Sequence, residues 1–474
     1  MIHPHWPALR EALSGRVVLP QDVDYDVARA LQIADFDRVR PQAVVYCASE
    51  DDVRQAVGFA RGYGLEVHVR GGGHSLAGFS TGTGMVIDVT GIAHVVVEDG
   101  LVRVGAGTQT VDLHDALRGS GLTLPSGLCP TVGVAGLTLG GGVGPWTRAY
   151  GVTSDRLRAA RVVLADGRVV ACDEHRESEL FWALRGAGPG FFGVVTELTF
   201  DPVPAGDITT FLLTWPWAQA ARVLDAWQRW APHAPDELAS SLRIALEDAA
   251  PGQEAAVCVS GTWLGPTSPR LQAELDQLVA RVGAEPANSV VFTKSHWETM
   301  LFFFGCEDLT VAQAHREGTG PQAALPRDGF VLTRGHFVTD PIPPEGIADL
   351  LAAFDSHRQT GRLRSLEFGA MGGACNRVAP DATAFVHRDT LFFGGFSAED
   401  TADLDEDARH SAQHWTDTCR STLRPYASAH SYQNSPDTQL TNWRTAYYGD
   451  NHPRLAQARQ TYDPDRFFQG ARSI

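Results

Sequence analysis

The chain has 474 residues, 43% of them hydrophobic and 20% charged, with a formal charge of −17. That length points to two domains and that composition to an ordinary soluble globular protein. So acidic a surface repels phosphate backbones and anionic lipid, so no nucleic-acid or membrane partner is expected.

The seven cysteines are scattered without a CxxC pair. Neither a disulfide framework nor a zinc site is indicated, and no metal is expected. The N-terminal residues lack a basic segment followed by an apolar core, and no window reaches the roughly 18–20 apolar residues of a membrane span. A cytoplasmic location is the expectation.

Residues 1–37 read as a short helical lead-in. Residues 40–47 read as a strand, and Ser49 caps a helix that runs to about Tyr63. A second strand, 65–70, closes this β-α-β unit directly on Gly71-Gly72-Gly73. Short strands follow at 85–89, 95–97 and 101–104, then an apolar-striped helix at 110–117 and a hairpin over 161–170 with an Asp-Gly turn. Composition shifts near Asp201-Pro202-Val203-Pro204. Beyond it, helices at 217–231 and 269–282 and strands at about 254–263 and 330–339 mark a second region. The expected division is 1–204, 205–424 and a C-terminal segment 425–474, of mixed α+β class.

The 48 glycines cluster between Gly71 and Gly193. Glycine inside secondary structure costs stability, so the clustering suggests main chain in close approach to something. In Arg70-Gly71-Gly72-Gly73-His74-Ser75 three bare residues can turn their N–H groups inward, as a pyrophosphate site requires. A second glycine-dense run, from Leu124 to Gly136, carries Cys129 and leads into Gly140-Gly141-Gly142-Val143-Gly144. One loop with a histidine and another with a cysteine suit an extended ligand lying over bare backbone.

These residues, with Arg148-Ala149-Tyr150-Gly151, Asp155, 181–188, Gly193–Thr196, Tyr432-Gln433-Asn434 and Tyr447-Tyr448-Gly449, resemble the berberine-bridge-enzyme-like oxidases of the vanillyl-alcohol-oxidase flavoprotein superfamily. The likeness is strong over about 38–203 and 425–470 and weak between them. It implies a PCMH-type FAD-binding domain of two small α/β subdomains, plus a substrate domain whose antiparallel sheet is covered by helices.

The resemblance also implies FAD bonded twice, His74 to the 8-methyl carbon and Cys129 to C6. A neutral imidazole and a thiolate are good nucleophiles for an electron-poor ring. It assigns Arg70, Gly71, Gly72, Gly73, Ser75 and Gly78 to the cofactor's surroundings. Pro130, Thr131, Val132, Gly133, Gly136, Gly140, Gly141 and Gly142 join them, as do Asp155, Gly193, Val195, Tyr432 and Asn434.

If 432–434 is a strand, Tyr432 and Asn434 share a face. Tyr432 then matches the family's base, which removes a hydroxyl proton as hydride leaves to the flavin. Glu367 is the matching acid on the substrate-side strand, while His387 and Arg388 are expected to pack or pair locally. Val143 stands where sugar-oxidising relatives carry an aromatic residue, and Ser435 where relatives carry a second tyrosine. Val132, three residues after Cys129, resembles oxygen-reactive members.

The expected activity is an FAD-dependent oxidase that converts an alcohol or hemiacetal of a small natural product to a ketone or lactone. Dioxygen would be the acceptor and hydrogen peroxide a product, in secondary metabolism. Oxidative ring closure, carbohydrate oxidation and non-catalytic flavin carriage stand as the alternatives.

Overall fold

The computed structural model describes residues 3–401 and 404–468. It opens with α1 (Trp6–Ala12), β1 (Arg16–Val18), α2 (Tyr25–Arg29), β2 (Ala43–Tyr46), α3 (Glu50–Tyr63), β3 (Val67–Arg70) and β4 (Met85–Asp88). Ser49 caps α3 by accepting from the Asp52 N–H at 3.1 Å, and Gly64 ends it with φ 65°. Strands β2, β4 and β3 pair in parallel, and β1 joins the β2 edge antiparallel. The lead-in is therefore not wholly helical. Val17 and Val18 gain burial opposite Val45 and Val44, and that burial outweighs local propensity.

Next come β5 (Val95–Glu98), β6 (Leu101–Gly105), α4 (Thr110–Leu117), β7 (Leu122–Thr123), α5 (Val134–Leu139) and α6 (Thr147–Tyr150). They are followed by β8 (Leu157–Val163), β9 (Val169–Asp173), α7 (Ser178–Leu184), β10 (Val194–Phe200) and β11 (Val203–Pro204). Five of these strands form an antiparallel sheet in the order β5-β6-β10-β8-β9.

The chain then builds β12 (Ile208–Trp215), α8 (Ala220–Trp230), β13 (Leu238–Leu246), β14 (Ala256–Leu264), α9 (Pro269–Val282), β15 (Asn288–Lys294) and α10 (His296–Phe304). It continues through β16 (Phe330–Val338), α11 (Pro344–Asp355), β17 (Leu363–Ala370), α12 (Gly373–Asn376), β18 (Phe392–Asp400) and α13 (Glu406–Leu423). The seven strands form one antiparallel sheet, ordered β15-β12-β14-β13-β17-β18-β16. Alternate residues such as Leu242, Ile244, Leu366, Phe368 and Phe396 are buried with residues of α8, α9, α11 and α13 in one apolar core. Their neighbours along each strand point to the opposite face, which is left for function.

The tail forms α14 (Trp443–Tyr448) and α15 (His452–Tyr462) and returns to the first region. Tyr447, Tyr448, Leu455 and Phe468 share one apolar core with residues from Leu9 to Phe200. Asp155 and Arg388 tie the two regions with a buried bidentate ion pair at 2.6 and 2.8 Å. Removing one partner of such a pair costs about 3–5 kcal/mol, because the other charge stays buried.

A histidine pair sits where α4 meets α10. His114 Nε2 lies 2.7 Å from Ser126 Oγ, and its ring is 5.2 Å from that of His296, which packs on Trp146. Burial holds His296 at about 4 and His114 well below the ordinary histidine value. Both stay neutral in the folded chain while the unfolded chain binds protons below about pH 6.5. Stability is therefore full above that pH and falls as pH drops toward 4, by at most about 1.4 kcal/mol per pH unit for each group. Thermal unfolding at pH 7.5 and pH 5 should show a smaller acid-induced drop in Tm for His296→Phe than for the wild type; equal drops would refute the assignment.

Candidate functional site

Strand β3 delivers Arg70 to the end of the first sheet, where it pairs with Asp88 of β4 and donates to the Ala28 carbonyl at 2.6 Å. Its Nη1 is buried without a partner among the described residues. The next residues meet the second glycine loop main chain against main chain. A Cβ on Gly72 would lie 2.3 Å from the Gly133 nitrogen and 2.5 Å from the Thr131 carbonyl oxygen. One on Gly133 would lie 2.4 Å from the Gly72 nitrogen. Neither position has room for a side chain.

That contact sets His74 against the second loop, its Nε2 2.5 Å from Thr131 Oγ1. Burial, with the Arg316 cation nearby, lowers His74 to about 4, so it is a neutral imidazole at physiological pH. Cys129 lies on the same loop with an exposed side chain. Surrounding protein, then the carboxyls of Asp328, Glu399 and Glu367, push its thiol up to about 11. The loop is anchored behind, where the Pro130 and Val132 carbonyls accept from the N–H groups of Val111 and Thr110 at 2.9 Å.

The other assigned residues divide into two sets. A Cβ on Gly136 would meet nothing within 4 Å, and one on Gly71 only the Ala106 carbonyl at 3.5 Å, so both border open space. Gly73, Gly78, Gly141, Gly142 and Gly193 have protein atoms there, as does Gly140, which the Asn434 carboxamide covers. Ser75 Oγ accepts from the Phe79 N–H, and Val195 is buried in β10. Asp155 binds Arg388 and the Val152 N–H, which gives it a structural reason of its own. His387 and Arg388 pair with residues distant in the sequence, His387 with Gln433 Oε1 at 3.1 Å and Arg388 with Asp155.

The 432–434 segment is a turn and not a strand, closed by the Ser435 N–H donating to the Tyr432 carbonyl at 3.0 Å. Tyr432 and Asn434 still come together, because the turn folds the Asn434 amide back onto the phenol at 3.1 Å. The Tyr432 ring is 6% exposed, lying among Phe337, Phe385 and Phe393. Its Oη accepts from the Gly142 and Val143 N–H groups, each at 3.0 Å.

The uncovered face of the seven-stranded sheet completes the site. Glu367 of β17 stands in register with Arg243 of β13 and Gly395 of β18. It is exposed on that face and makes no hydrogen bond or ion pair among the described residues. Enclosing protein raises its carboxyl, with Arg243 opposing the shift. Glu399 and Asp328 are raised for the same reason. The carboxyls of Asp328, Glu399 and Glu367 thus lie close enough to the Cys129 loop to act on its thiol.

Arg243, Glu399, Asp328 and Arg316 carried no sequence signal, since charged residues on strands and loops are usually just solvated. Gln109 is a further case, bridged to Gly133 with a buried Oε1 that has no partner among the described residues. Open space at Gly71 and Gly136, orphaned polar atoms at Arg70 and Gln109, and a neutral His74 all fit a large polar, ring-bearing cofactor. Gly72→Ala should force the loops apart and sharply lower flavin content, read as the ratio of flavin to protein absorbance; full occupancy would contradict the contact.

The family described as "FAD binding domain" matches residues 41–173, and "Berberine and berberine like" matches residues 431–474. The uncharacterized FAD-linked oxidoreductase YgaK of Bacillus subtilis is 32% identical over 473 residues, covering 98% of this chain and 97% of that one. Physcomitrella patens BBE-like 1 superposes with a TM-score of 0.87 at 26% identity, covering 99% of this chain and 98% of the other. A glucooligosaccharide oxidase from Acremonium strictum, described with a 6-S-cysteinyl, 8α-N1-histidyl FAD, gives a TM-score of 0.84 at 24% identity over 99% and 98% of the chains. No helix among the described residues is long and apolar enough to cross a membrane.

Proposed function

The chain belongs to the berberine-bridge-enzyme-like FAD-linked oxidoreductases, and on that premise we propose that it oxidises a CH–OH group of a small natural product to a carbonyl, with dioxygen as acceptor. The observation that carries this reading is Tyr432, buried at the junction of the two regions with its oxygen on the main chain of 142–143. Bound FAD would supply a two-electron acceptor for the substrate hydride and pass those two electrons, with two protons, to dioxygen to give hydrogen peroxide. Tyr432 takes the hydroxyl proton, which a phenol does at neutral pH only when its anion is stabilised. Glu367, on the exposed face of β17, orients the substrate or assists the proton's departure.

His74 and Cys129 would hold the cofactor covalently. The neutral His74 ring supports its part, since Thr131 occupies Nε2 and leaves Nδ1 as the nucleophile. A mass increase of one FAD should survive acid denaturation in the wild type and in each single alanine variant, and vanish in His74→Ala/Cys129→Ala. Flavin that washes out of denatured wild type would end the covalent reading.

Tyr432→Phe should keep its flavin and reduce it anaerobically about 10²–10⁴ times more slowly, the range for loss of a general base. An unchanged rate would remove Tyr432 from the reaction.

The carboxyls of Glu367, Glu399 and Asp328 favour a second reading, oxidation of a substrate that carries a protonated amine. Bleaching of the flavin across a panel of neutral alcohols and amines separates the two. Under the second reading, Glu367→Gln raises KM for amines and leaves neutral alcohols unaffected.

A further inference from the structure

We propose that Asn434 is a positioning residue, admitted by the bare Cα of Gly140, that acts with the N–H groups of Gly142 and Val143 to hold Tyr432 as a phenolate before substrate arrives. The inference rests on Tyr432 being the base of the reaction, and it concerns how that base is charged.

A phenol oxygen has one proton to give and two lone pairs to accept with. Tyr432 Oη receives three donors, Gly142 N and Val143 N at 3.0 Å and Asn434 Nδ2 at 3.1 Å. Three donors and the oxygen's own proton overfill a phenol, whereas a phenolate accepts all three. No acceptor for that proton is found among the described residues. The rings of Phe337, Phe385 and Phe393 enclose the side chain with apolar surface, and no ion pair to its oxygen is found among the described residues. Burial raises the phenol above its ordinary value, and these three hydrogen bonds oppose that rise and offset part of it. The titratable neighbour is Cys375 of α12, itself pushed up to about 11 and therefore neutral.

The Asn434 amide has a fixed orientation. Nδ2 also donates to the Leu137 carbonyl of α5 at 2.9 Å, which spends its second hydrogen and directs the first at Tyr432. Its Oδ1 fills the space over Gly140, where a Cβ would lie 1.9 Å from it. Gly140 has φ −95°, a conformation open to alanine, so the substitution acts by that collision alone. Gly140→Ala thus displaces Asn434 while leaving Tyr432 and its two main-chain donors chemically intact. Gly140 and Asn434 work as one device.

The test compares ultraviolet spectra of holoenzyme and its Tyr432→Phe variant from pH 6 to 10, the difference isolating the tyrosinate band of Tyr432. The band should be present in wild type at pH 7.5. In Asn434→Leu and in Gly140→Ala its midpoint should rise by about one to two pH units, the loss expected for one hydrogen bond to an anion. Flavin content and Tm identify any variant that fails to fold, and the two variants disturb the site differently, so one suffices. A wild-type band that appears only above pH 9, or midpoints unmoved in both variants, overturns the proposal. A band present in wild type while Tyr432→Phe turns over normally would sink the base assignment and leave the phenolate standing.

Discussion

The arrangement depends on two glycine loops touching main chain to main chain. Gly72 and Gly133 leave no volume between the segment after β3 and the segment before α5, so the two cross as bare backbone. From that crossing follow the His74–Thr131 contact, the position of the Cys129 loop and the anchoring of 130–132 on α4. A methyl group at either glycine would separate them. The second loop belongs to no regular strand or helix, yet it is held as firmly as one.

Three distant stretches of chain then converge on the same place. The loop after α5 offers its N–H groups, the tail brings Tyr432, and β16, β17 and β18 supply aromatic and acidic walls. The buried Asp155–Arg388 pair ties the segment after α6 to the loop before β18, beside this site. Exposed pairs such as Arg54–Asp51 add at most about 1 kcal/mol, so they do not decide the geometry. The site is electrically uneven. Tyr432 is enclosed by apolar rings and N–H donors, while the carboxyls of Asp328, Glu399 and Glu367 act on Cys129.

Much of the fold was legible because local chemistry and burial agreed. Ser49 capped its helix, and the 161–170 hairpin closed through Asp166-Gly167. Expectation failed where tertiary burial overrode local pattern. Val17 and Val18 joined a sheet edge that no nearby residue announces. Tyr432 to Asn434 form a turn because its side chains are anchored to α5 and its loop. Most of the glycines read as bordering the cofactor have protein atoms on the side where a Cβ would stand. Glycine density signals close approach without saying to what.

By itself the sequence determined the cofactor class, through the family resemblance carried by the glycine runs, His74, Cys129 and the tail, which are written in contiguous stretches. Only the tertiary structure decided which groups meet. That Gly140 makes room for Asn434, that two main-chain N–H groups reach Tyr432, and that the carboxyls of Asp328, Glu399 and Glu367 act on the Cys129 thiol are relations across long separations in sequence. Such contacts come from packing three segments together, and no window of residues carries them.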